Sequence, residues 1–92
     1  MAPILPSLLL IATIPVEHWS TAELEKAYWD CEFAAVQGRL ELSDAAGCSE
    51  LYEQLKSDKF HGDFARFLAW WRENKDRELS SRMYEEQRRR DR

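Results

Sequence analysis

The chain has 92 residues, 45% of them apolar and 33% charged, with only three glycines and three prolines and a formal net charge of −4. That length allows one domain with a thin core, hiding about 60 to 65% of the unfolded surface, and that composition excludes a disordered or collagen-like chain. The charge is uneven: residues 1–16 carry none, 17–71 hold eleven acids against five bases, and 72–92 hold eight bases against six acids. An acidic body repels a phosphate backbone, so no nucleic-acid partner is expected.

The run from Ile4 to Val16 is apolar and uncharged. Thirteen residues cannot cross a hydrocarbon core of about 30 Å, which needs roughly 20, so no transmembrane span is expected. The run has the length of the apolar region of an export signal peptide, but no Lys or Arg precedes it and no small-x-small cleavage site follows. The other readings are an irregular arm lying on the helices, or a membrane-surface anchor, which Pro6 and Pro15 disfavour.

Trp19-Ser20-Thr21-Ala22-Glu23-Leu24 predicts a helix start at Thr21: Ser20 and Glu23 form a reciprocal capping box, and Trp19 staples onto Leu24. Leu24, Ala27, Tyr28, Cys31, Ala34 and Ala35 then follow the i, i+3, i+4, i+7 rule, and Gly38 ends the helix. After a short connection, Ser43 and Asp44 suit the amides of a second helix start, with an inward stripe of Ala45, Cys48, Leu51, Tyr52 and Leu55. So short a loop makes the two helices antiparallel neighbours. Gly47 costs about 1 kcal/mol inside a helix and is expected to admit a close neighbour beside Cys48.

Residues 57–63 read as a turn, with Asp63 capping a third helix whose inward set is Phe64, Phe67, Leu68 and Trp71, joined by Phe60. Beyond Trp71 the only apolar contacts are Leu79, Met83 and Tyr84, so the helix continues as a solvated extension held by i, i+4 ion pairs and fraying toward Arg92. The expected architecture is all-α, a small three-helix domain made of an antiparallel hairpin and a longer third helix. It divides into an apolar N-terminal segment (1–18), a core domain (19–72) and a charged extension (73–92).

Helix geometry also bears on the two cysteines. Cys31 lies seven residues before Gly38 and Cys48 five after Ser43, which puts them about 10.5 and 7.5 Å above the connecting loop on facing stripes. A disulfide between them is expected, and in the chain-entropy model would add roughly 3 kcal/mol. The alternative is a pair of buried free thiols in a cytosolic hairpin. A redox-catalytic pair is not expected, since such dithiols use C-x-x-C at a helix start and these two are seventeen apart in mid-helix.

Candidate sites are few. Trp70 and Trp71 are about 100° apart around one helix, so Trp71 is assigned to the core and Trp70 to the flank, as is Trp29 beside Tyr28. Trp29 and Trp70 are the expected binding surface, because large rings anchor interfaces; the plainer reading is that they close the edge of the core. His18, His61 and Asp63 read as solvated turn residues and not as metal ligands. Asp30, Glu32, Glu50 and Glu53 sit on outward faces, and Ser49 has no histidine near it in sequence, so neither a catalytic residue nor a cofactor is expected. The basic cluster at Arg88, Arg89 and Arg90 is diluted by Glu85, Glu86 and Asp91.

Tyr28-Trp29-Asp30-Cys31-Glu32, Gln37-Gly38-Arg39-Leu40, the stretch from Cys48 to Lys56, and Phe60-His61-Gly62-Asp63-Phe64 followed by Leu68-Ala69-Trp70-Trp71 resemble a group of small, uncharacterised, exported bacterial proteins. The resemblance covers roughly residues 20–72 and implies a periplasmic helical protein with one disulfide; it implies no activity. The expectation is a non-enzymatic, periplasmic or secreted protein that binds a partner protein or small ligand through Trp29 and Trp70. The alternative is a cytosolic interaction or regulatory module that uses the charged final helix.

Overall fold

The computed structural model describes residues 15–92, so the apolar segment 1–18, whether signal or arm, lies outside the described residues except for its last four. A 3-10 turn at Val16–His18 leads into three helices, which we label α1 (Thr21–Val36), α2 (Leu42–Phe60) and α3 (Phe64–Arg90). The architecture is the expected one, an all-α hairpin with a longer third helix, and there is no strand among the described residues.

The start of α1 follows its sequence signal closely. The Ser20 hydroxyl accepts from the Glu23 amide at 3.1 Å, while the Glu23 carboxylate accepts from the Ser20 amide at 2.8 Å. Two of the exposed amides of the first turn are thereby satisfied. Trp19 is half-buried against the cluster that contains Leu24. At the other end Gly38, with φ of 69°, reverses the chain, and the Arg39 amide returns to the Ala34 carbonyl at 2.9 Å.

α2 begins earlier than its Ser43 signal. Its cap is Glu41, whose amide donates to the Asp44 carboxylate at 3.4 Å, so Asp44 rather than Ser43 supplies the polar partner. The helix also runs on through residues expected to turn, as far as Phe60. The reversal is compressed into His61 and Gly62, both left-handed with φ of 54° and 80°. Asp63 caps α3 as expected, accepting from the Arg66 amide at 3.2 Å.

Leu24, Tyr28, Trp29, Leu55, Phe60 and Phe67 form the core. Phe67 of α3 is its hub: the rings of Tyr28, Tyr52 and Phe60 stand edge-on to it at centroid distances of 5.5, 4.9 and 5.8 Å. Edge-to-face geometry sets the positive rim of one ring on the negative face of another, adding about 0.5 to 1.5 kcal/mol per pair beyond burial.

α1 carries two inward sectors. The first, with Leu24, Tyr28 and Cys31, matches the expected stripe, but Ala35 is exposed, while Trp29 and Phe33 are buried on a second sector. The cause is that α1 packs against α3 as well as α2. A helix with two neighbours needs a wider apolar face than one stripe provides.

The charged extension is more firmly held than a solvated helix. The Arg82 guanidinium donates to the Asp30 carboxylate at 2.9 Å, to the Glu78 carboxylate at 2.8 Å and to the Lys26 carbonyl at 3.3 Å. Arg39, in the loop after α1, pairs with Glu86 at 3.2 Å and lies over the Phe33 ring at 5.5 Å. The last third of α3 is therefore clasped to α1.

Candidate functional site

Cys31 and Cys48 are joined, with their Cα atoms 5.9 Å apart, within the span a disulfide bridges. The matched heights of the two positions in the hairpin are what bring them together. Both residues are only half-buried, and the bridge forms part of the wall of two surface recesses, one on each side.

The larger recess is an apolar groove of about 460 Å³. The 3-10 turn contributes Val16, the residue after it Trp19, α1 contributes Ala34, and Leu40 and Leu51 close it beside the disulfide. Asp30, Asp44 and Glu50 stand on its rim against one base, Arg39. Asp30 is also tied to Arg82 and Lys26; burial alone would raise its pKa, but those two cations hold its carboxyl below the usual range.

Gly47 lines this groove, and its role differs from expectation. Among the described residues an added Cβ there meets nothing within 4 Å, so none of them packs closely on the glycine. A side chain at that position would start from the groove wall into space that the described residues leave open.

The smaller recess, of about 300 Å³, lies on the other side of the bridge and is lined by Tyr28, Glu32, Ser49 and Tyr52 among others. Burial first, then the neighbouring Glu32 carboxylate and Tyr52, push the Tyr28 hydroxyl well above its ordinary pKa, so it stays neutral. Glu32 accepts from the Trp71 indole N–H at 3.2 Å. Its half-buried place here corrects the outward position its sequence context suggested.

The two tryptophans singled out as a surface are not one. Trp29 is only 2% exposed, and Trp70 is half-buried with its ring 5.3 Å from Trp29, 5.5 Å from Phe60 and 5.6 Å from Phe67. Both belong to the aromatic core, because α3 meets α1 and α2 together and turns the Trp70 and Trp71 sides inward. Phe64, expected inside, is instead 53% exposed. The sequence reading missed the groove residues Val16, Leu40 and Leu51 as a set; the i, i+4 pair Trp29 and Phe33 was the one available sign of a second packed face.

His18, His61 and Asp63 are exposed, and no group of three His, Cys, Asp or Glu side chains among the described residues is arranged to hold a metal ion. No helix among the described residues is long and apolar enough to cross a membrane. Comparison of the chain with family models, with curated proteins and with solved structures gives no match.

Proposed function

We propose that this is a non-enzymatic binding protein of an oxidising compartment, periplasmic or extracellular, and that the apolar groove beside the disulfide, rather than Trp29 and Trp70, receives its partner. The observation that carries the reading is the open groove walled by Val16, Trp19, Leu51 and the bridge, which Gly47 leaves clear. A chain with so thin a core gains much of its stability from a disulfide, and disulfides persist in oxidising compartments. Asp30 is neutralised by Arg82 and Lys26 and Arg39 by Glu86, but Asp44 and Glu50 form no ion pair among the described residues and leave the rim acidic, so the fitting occupant is an apolar segment of another protein flanked by Lys or Arg.

Gly47→Leu tests the groove. Leucine there removes a helix-interior glycine, which should raise stability by up to about 1 kcal/mol, while its side chain fills the groove. Wild-type protein is expected to enhance the fluorescence of the neutral apolar dye Nile red, and Gly47→Leu to abolish that enhancement with an unchanged or higher unfolding midpoint. Dye binding that survives the substitution would place the apolar surface elsewhere. Thiol alkylation of denatured, unreduced protein from its native source tests the compartment: two reactive thiols would overturn it.

A further inference from the structure

Glu32 is a half-buried carboxylate whose bonded partner is a neutral donor, the Trp71 indole N–H. No ion pair reaches it among the described residues, although two lysines stand on rings beside it. The Lys75 ammonium lies 4.8 Å from the Trp71 ring centroid, and the Lys56 ammonium 5.1 Å from that of Tyr52 while pairing with Glu53 at 3.4 Å. The rings around Glu32 thus attract ammonium groups, and neither lysine lines the recess into which Glu32 opens.

A carboxylate partly withdrawn from water and held by neutral donors gains strongly from a cation, more than one on the open surface does. A metal ion fits poorly, because Mg²⁺ or Ca²⁺ requires six or more oxygens and this recess offers one carboxylate and three hydroxyls. An organic ammonium fits better: its charge meets Glu32 while its methyl or methylene groups lie against the half-buried Tyr52, with Tyr28, only 7% exposed, closing the inner wall of the recess. We propose that Glu32, Tyr28 and Tyr52 form a binding site for a small organic ammonium ion, on the opposite side of the disulfide from the apolar groove.

The Trp71 indole N–H, bonded to Glu32, reports on the site. Its proton resonance should shift saturably when tetramethylammonium chloride is added at constant ionic strength, in the millimolar range. Neutral tert-butanol, similar in shape, should leave it unmoved. Glu32→Gln retains an acceptor for the indole and should weaken the response at least about tenfold, and Tyr52→Leu should weaken it about threefold or more. A wild-type resonance that does not shift, an equal response to tert-butanol, or equal affinity in Glu32→Gln would each overturn the proposal. If Glu32→Gln does not fold, the tert-butanol comparison and Tyr52→Leu still decide it. Gly47→Leu, which fills the other groove, should leave ammonium binding unchanged, so the two sites stand or fall separately.

Discussion

The ring of Trp29 on α1 meets that of Trp70 on α3 at 5.3 Å between centroids, with their planes inclined by 44°. The contact joins the second inward sector of α1 to the side of α3 that the sequence placed at a flank. Around it stand Tyr28, Phe60 and Phe67, so the two indoles tie the third helix to the hairpin.

Trp70→Ala should therefore act on folding. Truncating a core aromatic costs about 3 kcal/mol, a large share of the stability of so small a domain. Urea unfolding followed by circular dichroism will show it as a lower midpoint. An unchanged midpoint would mean that the indole lies idle in the folded state.

Replacing Cys31 and Cys48 together by Ala should cost about 2 to 4 kcal/mol, as expected for a native bridge in a small domain. The same loss should appear in wild-type protein unfolded in the presence of a reducing agent. Equal midpoints with and without reductant would show that the helix contacts alone hold the hairpin.

The clasp between α3 and α1 makes the end of the chain matter. Truncation after Glu78 removes Arg82 and Glu86, leaves Asp30 with Lys26 alone, frees Arg39, and opens the cleft over Phe33. A drop of the order of 1 to 3 kcal/mol is expected, with Arg82→Ala accounting for about 1 kcal/mol of it. A truncated chain as stable as the full one would show that these bonds have no net effect.

Stability should fall at both ends of the pH range. Asp30, despite some burial, is held below its ordinary value of 3.8 by Arg82 and Lys26, and Glu23 below 4.5 by the Ser20 amide and then its hydroxyl. Both contributions are present above those values and are lost as the pH falls through the lowered ones. Tyr28 is raised above its ordinary 10.0, so its contribution is present below that pH and is lost above it. Midpoints measured at about pH 3, 7 and 11 should be highest at 7, and Tyr28→Phe should flatten the alkaline limb.

Local features were legible in the sequence to the extent that their physics is local. The Ser20 and Glu23 box, the Asp63 cap and the equal heights of Cys31 and Cys48 all follow from spacing along one chain segment. Trp29 was misplaced and Phe33 left unassigned because the width of a helix's buried face depends on how many neighbours it has, which is decided by tertiary packing. The same limit hid the groove, since Val16, Leu40 and Leu51 come from three separate segments. Gly47 shows a further case: from sequence, a glycine that admits a neighbour and one that leaves space open look alike.

The reach of the disulfide has a kinetic side. It links positions separated by 17 residues, so an oxidised chain, even unfolded, already holds α1 and α2 within a short loop. Closing that loop is the main entropic search in forming the hairpin, and the bridge performs it in advance. What remains is the docking of α3, which is joined to α2 through His61 and Gly62 alone before Asp63 caps it. Refolding of the oxidised chain then amounts to one helix swinging onto a preassembled pair, and its rate should respond to changes in the ring of Phe67, while loss of either cysteine restores the slower search for the hairpin itself.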